Sequence, residues 1–257
     1  MIFVKSEDLK YGMRLAKPIY NKTGVLLYER NTRLTLQGIE SVKNFGLLGL
    51  YILEPAEPVP PMTEEDLDFE RFQTMAVFSI REELDNIIAG REPVNLKRLA
   101  NAIITNYGRL DHKITFTQNL RSTTDYVYKH VINTAILCAL ISAQVYYTPT
   151  EQEELVLAAL LHDIGKLLLP NKVREKYDDY DTNDLIIVKK IQNDGLGLLR
   201  PEIGIDSGVR RIVAQIHRME YGNSNLEQGK ILKSTKILKV ANLFDTMTCM
   251  NCLLYTS

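Results

Sequence analysis

A histidine, an aspartate and a lysine stand at the end of an apolar stretch of the chain. Residues 155–161 are all apolar, and His162, Asp163 and Lys166 follow them. An imidazole and a carboxylate are both ligands for a divalent metal, and a lysine one turn later can contact a phosphate oxygen. The pattern therefore predicts metal-assisted phosphoester chemistry, with Asp163 and Lys166 as the candidate catalytic residues.

A second histidine extends this pattern toward a metal site. The histidines of the chain are His112, His130, His162 and His217. The separation of His130 and His162 suits two antiparallel helices joined by residues 146–149, which would bring the two side chains together. A lone histidine is more often a core or surface residue than a ligand. With the carboxylate beside them, however, we predict that His130, His162 and Asp163 bind a metal.

The elements that must position these residues begin after a small N-terminal region. Residues 1–56 are predicted to form a β-rich domain, because apolar and polar side chains alternate and a glycine-containing turn at 21–24 favours a hairpin. Gly46 is the expected end of a short helix. The predicted elements are a strand at 14–20, its hairpin partner at 25–28, a helix at 36–45 and a last strand at 50–53. No residue of this domain is predicted to carry chemistry.

The rest of the chain is predicted to be mainly helical. A Pro-rich linker is expected at 57–63 and a helical domain at 64–251. The expected helices lie near 64–90, 94–111, 118–146, 150–167, 182–194, 207–220 and 232–250. Residues 170–181 and 222–229 are expected to be irregular, and the segment from Gly195 to Gly197 is expected to end a helix. The predicted fold class is therefore mainly α, with the small β-rich domain in front.

Composition and charge exclude several classes of partner. The 257 residues carry a net charge of −1, which gives no general attraction to a nucleic acid polymer or to an anionic membrane. The apolar stretches are too short to span a bilayer and no signal peptide is recognised, so no membrane association is expected. Three cysteines without a framework spacing fit a reducing compartment, and we predict a cytoplasmic protein.

The last residues are expected to be foreign to the fold. Residues 252–257 read as the product of a common sequencing adaptor in one reading frame, and no helix cap or polar tail accompanies them. We therefore expect an adaptor-derived tail and a helical domain that is truncated near residue 251.

Three segments of the helical region carry recognisable motifs. Residues 130–134 read His-Val-Ile-Asn-Thr, residues 160–166 read Leu-Leu-His-Asp-Ile-Gly-Lys, and residues 240–248 read Val-Ala-Asn-Leu-Phe-Asp-Thr-Met-Thr. These motifs resemble those of the HD-GYP family, a branch of the HD-domain metal-dependent phosphohydrolases. Residues 5–53 also resemble the small domain that often precedes HD-GYP domains. The resemblance implies an all-helical HD-type domain that covers about residues 118–249.

The resemblance implies a phosphodiesterase that hydrolyses cyclic di-GMP. Such enzymes hold two or three metals, often iron or manganese, with a bridging hydroxide that attacks phosphorus. Carried over by position, His130, His162 and Asp163 would be metal ligands, with Asp163 bridging two ions. Lys166 would contact the phosphate, and His217 would bind the second metal.

Several positions depart from the family pattern. Aligned on Gly195, a metal histidine of the family is replaced by Ile191, and the late metal aspartate is replaced by Asn242. The other departures are Ile216 for a histidine, Arg218 for a glutamate and residues 224–226 for the Gly-Tyr-Pro triplet. Isoleucine cannot bind a metal and asparagine offers only a neutral oxygen, so we expect one divalent ion or none, weakly helped by His217 or Asn242.

Three hypotheses about function follow. The first is a cyclic di-GMP phosphodiesterase with an incomplete metal site and impaired activity. The second is a non-catalytic regulatory module that binds a nucleotide or a signalling protein through the same helical surface. The third is a mononuclear HD phosphohydrolase that acts on another nucleotide. A homodimer is expected as a further partner arrangement.

Overall fold

A computed structural model describes residues 1–47, 49–109, 126–174, 176, 180–222 and 231–248. Several sequence predictions lie outside these residues, namely His112, the triplet at 224–226, the tail at 252–257, and the helical residues 110–111, 118–125 and 249–250. Within the described ranges the chain is mainly helical with a small strand-containing N-terminal region, so the predicted fold class is confirmed.

Contacts divide the chain into two compact units, which are described separately. The first contains residues 1–78, and the second contains residues 79–109 and 126–248. The division falls inside a long helix, between Phe78 and Ser79. The domain boundaries and the linker expected from sequence remain predictions.

The first unit contains two small antiparallel sheets and a helix. Its elements are β1 (Ile2–Lys5), β2 (Arg14–Leu15), β3 (Ile19–Tyr20), β4 (Leu26–Tyr28), α1 (Leu36–Asn44) and β5 (Gly49–Leu53). One sheet has the order β1-β5-β2, with Phe3 opposite Tyr51 and Leu15 opposite Ile52, and β3 pairs with β4 in the other. Apolar residues of both sheets form a core with α1, in which Leu15 and Val42 are fully buried, and Ala16, Tyr51 and Leu53 form a second, smaller cluster.

The hairpin, the helix and the last strand of this unit agree with their predicted positions. Thr35 caps α1 by accepting a hydrogen bond from the Gly38 backbone, and Gly46 ends the helix in the left-handed region with φ 70°. The single strand predicted at 14–20 is wrong, because the chain leaves one sheet after Leu15 and enters the other at Ile19. Pro18 lies in this break. Proline has no N–H to donate to a sheet ladder, but outside the strands no ladder hydrogen bond is lost.

The second unit is helical and is built around one apolar helix. Its elements are the end of α2 (Glu64–Ile88), α3 (Leu96–Tyr107), α4 (Tyr126–Gln144), α5 (Pro149–Leu161), a 3-10 helix (Ile164–Leu168), α6 (Asn171–Arg174), α7 (Thr182–Leu198), a second 3-10 helix (Pro201–Ile203), α8 (Ser207–Tyr221) and α9 (Lys233–Thr248). α4 packs against α3, α5 and α9, and α5 also packs against α3 and α8. The interior of the unit therefore lies along α4 and α5.

α4 is long and apolar enough to cross a membrane by length and composition. However, 72% of its apolar window is buried inside the protein, as in the core helix of a soluble domain. Val131, Ile132, Ala135 and Ile136 on this helix are fully buried. The cytoplasmic location expected from sequence remains a prediction.

Three boundaries near the candidate site differ from the sequence predictions. α5 ends at Leu161, and a 3-10 helix follows it instead of the helix continuing to 167. The stretch 170–181, expected to be irregular, contains the short helix α6. α7 continues to Leu198, so Gly195 does not end it. A Cβ at Gly195 would lie 2.6 Å from the Cα of Gly165, which shows that this glycine permits a close backbone contact.

Candidate metal centre

Two helices and one short turn bring three of the predicted ligands together. His130 lies on α4, and His162 is the residue that caps the C-terminus of α5. The change from α5 to the 3-10 helix places Asp163 directly between the two elements, with Lys166 on the next turn. α9 packs against both α4 and α5. The site is therefore built on the buried helices of the unit.

The two histidines and the aspartate form one compact group. His130 Nε2 lies 3.4 Å from Asp163 Oδ2, and His162 Nε2 lies 3.7 Å from the same oxygen. One ligand atom from each residue lies within 4.8 Å of the others, and all three residues are buried. Within the described ranges neither Nε2 atom has a hydrogen-bond partner. Two unpaired imidazole nitrogens that face one carboxylate oxygen fit a divalent metal.

Hydrogen bonds on the far side of each ring set the tautomer that a metal requires. His130 Nδ1 lies 2.6 Å from Asp245 Oδ2, and His162 Nδ1 lies 2.8 Å from the carbonyl oxygen of Ala159. Both partners are acceptors, so each Nδ1 carries a proton and donates a hydrogen bond. On a neutral ring this leaves the lone pair on Nε2, which faces the common space. Burial lowers the pKa of His162 to about 4, which keeps this ring neutral at neutral pH.

Asp245, which contacts the candidate ligand His130, was not identified by the sequence analysis. It is buried on α9 and accepts a second hydrogen bond, of 3.1 Å, from Asn133 Nδ2. One sequence feature could have identified it, since Asp245 shares a helix face with the buried Leu238 and Ala241. A carboxylate on the apolar face of a helix requires polar partners, and His130 and Asn133 are two of them.

Asp163 is held from both sides. Its Oδ2 pairs with Lys166 Nζ at 2.8 Å, and its Oδ1 accepts a hydrogen bond of 3.0 Å from Gln192 Nε2 on α7. Burial raises the pKa of Asp163, but the neighbouring positive charge, first of all the Lys166 ammonium, lowers it, and the net result is a pKa below the ordinary aspartate value. Asp163 is therefore an anion at neutral pH, as a carboxylate that binds a metal must be.

His217 and Asn242 lie outside this group and have other partners. His217 Nε2 donates to the backbone carbonyl of His162 at 2.6 Å, and burial lowers the pKa of His217. Asn242 Nδ2 donates to Glu220 Oε1 at 2.7 Å. Burial and, to a smaller extent, Asp163 raise the pKa of Glu220 to about 7. The metal roles expected for His217 and Asn242 remain predictions, and in this structure both side chains make protein contacts.

Three residues that depart from the family pattern lie in apolar surroundings or at the surface. Ile191 packs beside a buried cluster of Leu169, Val173 and Val188. Ile216 is fully buried, and Arg218 is exposed on the same helix. Lys166, which was expected to contact a phosphate, is 5% exposed and pairs with Asp163. In this structure the ammonium group thus contacts the candidate ligand Asp163.

Replacing Asp245 tests the support of His130. The variant Asp245→Asn keeps the shape but removes the charge that holds the Nδ1 proton. It is therefore expected to weaken Mn²⁺ binding about 10–100-fold. Competition with a fluorescent chelator measures the Kd. Asp194→Asn removes the same charge from an exposed position of α7 and is expected to leave the Kd unchanged. Equal Kd values for Asp245→Asn and the wild type would contradict this role.

Comparison with known families agrees with this geometry. Residues 127–247 match the family model of the HD domain. No curated protein and no solved structure matches the chain. The match supports an HD-type metal-dependent phosphohydrolase, and His130, His162 and Asp163, which could bind the metal, all lie inside the matched residues.

Proposed function

We propose that this chain is a phosphohydrolase of the HD type that uses one divalent metal to cleave a phosphoester of a nucleotide. The observation that carries the proposal is the convergence of His130 Nε2, His162 Nε2 and Asp163 Oδ2 on one buried space. Neither imidazole nitrogen has another hydrogen-bond partner within the described ranges, and both lone pairs are directed by the bonds at Nδ1.

The protein groups would contribute binding, orientation and charge. When bound, a divalent metal supplies a Lewis acid for a phosphoryl oxygen and lowers the pKa of a bound water. Three protein ligands leave positions open for water and substrate. Lys166 keeps Asp163 ionised and adds a positive charge near the place where negative charge grows on a phosphate. Iron and manganese are the metals that the resemblance to HD-GYP proteins suggests.

The proposed substrate is cyclic di-GMP, and the proposed activity is impaired. The substrate class comes from the resemblance of the motifs alone. Impairment is supported by the contacts of two further side chains. His217, the expected ligand of a second metal, donates to a backbone carbonyl, and Asn242, expected to help only weakly, donates to Glu220. Without a second ion, the leaving oxygen loses one source of charge stabilisation.

The same two contacts also favour a second candidate function. A site in which His217 and Asn242 are satisfied by the protein could bind a metal and a nucleotide without hydrolysing it. The protein would then act as a regulatory module that reports nucleotide binding to a signalling protein or to a second copy of itself.

Metal content followed by hydrolysis distinguishes these functions. Protein purified without chelator is expected to contain about one equivalent of iron or manganese by mass spectrometry, because three ligands form one site. It is expected to hydrolyse cyclic di-GMP slowly, and this hydrolysis is expected to stop when EDTA removes the metal. The variant His162→Ala serves as the control and is expected to lack both properties.

Other results would change the proposal. About two equivalents of metal would contradict a one-metal site. Folded protein without metal after reconstitution would contradict the metal site itself. One equivalent of metal together with tight cyclic di-GMP binding and no turnover would favour the regulatory module.

A further inference from the structure

One buried amide beside the metal centre differs from what the family pattern implies. The pattern expects a metal-binding histidine at position 191, where this chain has isoleucine. The structure turns Ile191 toward an apolar cluster and turns its neighbour Gln192 toward Asp163. Gln192 is 1% exposed, and its Nε2 donates to Asp163 Oδ1 at 3.0 Å. A hydrogen-bond donor thus stands beside the carboxylate in the region where a ligand was expected.

The two carboxylate oxygens of Asp163 therefore have different neighbours. Oδ2 faces His130 Nε2 and His162 Nε2 and also contacts Lys166 Nζ, whereas Oδ1 points away from the two histidine nitrogens and accepts the hydrogen bond from Gln192. A carboxylate that bridges two metals through both of its oxygens offers one oxygen to each of them. We infer that Gln192 is a positioning residue that reserves Asp163 for a one-oxygen contact with a single metal. The inference rests on the proposed function, because it specifies how that site selects its metal and how many ions it holds.

The backbone around Gln192 is shaped to keep the amide in this place. A Cβ at Gly165 would lie 2.3 Å from Gln192 Oε1 and 2.8 Å from Gln192 Cα. Gly165 therefore provides the space that the amide fills, and Gly195 allows α7 to approach the 3-10 helix that carries Gly165. Because Gln192 is almost completely buried, its side chain has no solvent into which it could turn. The amide is held against Asp163 by packing as well as by its hydrogen bond.

A one-oxygen carboxylate has consequences for metal choice. Ca²⁺ takes about six to eight oxygen ligands and often binds a carboxylate through both oxygens. Smaller ions such as Mn²⁺ accept imidazole nitrogen and a single carboxylate oxygen. The wild-type site is therefore expected to prefer Mn²⁺ over Ca²⁺, and the preference is expected to depend on Gln192.

The test measures the Kd for Mn²⁺ and for Ca²⁺ by chelator competition, together with the number of Mn²⁺ ions bound. Gln192→Met keeps the length of the side chain but removes the donor. It is expected to weaken Mn²⁺ binding about 10–100-fold. Ca²⁺ binding is expected to stay unchanged or to strengthen, because Oδ1 becomes available. Asn193→Leu removes an amide from the exposed neighbouring position and is expected to change neither Kd.

The outcomes separate this inference from the proposed function. Loss of Mn²⁺ preference in Gln192→Met supports positioning. Equal weakening for both ions indicates a packing role only, and unchanged Mn²⁺ binding shows that Gln192 is not needed. Either result overturns the inference and leaves the one-metal site intact. Wild-type protein that binds no Mn²⁺ overturns both. If Gln192→Met does not fold, Gln192→Glu provides a second test. This variant keeps the shape and replaces the donor by an oxygen, and it is expected to reduce the preference for Mn²⁺ over Ca²⁺.

Discussion

Gly195→Ala is expected to lower the free energy of unfolding by about 3 kcal/mol, because the added methyl group has no space. A Cβ at this position would lie 2.6 Å from Gly165 Cα and 2.7 Å from Gly165 N. Both neighbours are backbone atoms of the 3-10 helix that follows Asp163, so no flexible side chain can move aside. α7 must shift away from the 3-10 helix, and overpacking of this kind is costly in a close-packed interior.

Gly197→Ala provides the matched control, two residues later on the same helix. Among the residues that the structure describes, no atom lies within 4 Å of a Cβ at Gly197, so the methyl group meets open space there. Alanine favours the helical backbone over glycine, and this variant is expected to stabilise the protein by about 0.5–1 kcal/mol. Urea unfolding of both variants measures the change in the free energy of unfolding, which is expected to have opposite signs. Equal effects for Gly195→Ala and Gly197→Ala would contradict the close contact.

The same pair also tests the link between packing and metal binding. A shift of α7 carries Gln192 away from Asp163, so Gly195→Ala is expected to weaken Mn²⁺ binding as well as stability. Gly197→Ala is expected to leave the Mn²⁺ Kd at its wild-type value. Folded Gly195→Ala protein with unchanged Mn²⁺ affinity would show that the amide does not depend on this contact.

Local patterns predicted most of the elements because each depends on nearby residues. Gly46 ended α1 as expected, and the turn at 21–24 produced the hairpin of β3 and β4. The errors arose where a distant contact decided the outcome. Gly195 was expected to end a helix on its propensity, but its partner is Gly165, which is remote in sequence. The change from α5 to a 3-10 helix at Asp163 has no breaker residue before it.

The candidate site shows the same limit. His162 and Asp163 were found because they are adjacent, and His130 because two antiparallel helices bring it near them. Asp245 and Gln192 were missed, since each matters only through its hydrogen bond to a candidate ligand on another element. The family pattern has a metal-binding aspartate at position 242, where this chain has asparagine. In the structure, the carboxylate that orients His130 lies one turn later, at Asp245. Residues that support ligands have no spacing rule of their own.

Asp163→Asn is expected to abolish metal binding and also to destabilise the metal-free protein. Asparagine offers a neutral oxygen in place of the anionic Oδ2 that faces both histidines, so Mn²⁺ affinity is expected to fall by more than about 100-fold. The second effect comes from Lys166, whose ammonium lies 2.8 Å from Asp163 Oδ2 while both side chains are buried. Removing one partner of a buried ion pair costs about 3 kcal/mol, because the remaining charge is poorly solvated.

A double variant separates the two effects. Lys166→Met in the Asp163→Asn background removes the cation as well, and it is expected to recover much of the lost free energy of unfolding. It is not expected to recover Mn²⁺ binding, because the anionic ligand is still absent. Urea unfolding in EDTA gives the stability of each metal-free protein, and chelator competition gives the Mn²⁺ Kd. If the double variant is less stable than Asp163→Asn, the pair is not the source of the destabilisation. If Asp163→Asn keeps wild-type Mn²⁺ affinity, Asp163 is not a ligand and the metal centre must lie elsewhere.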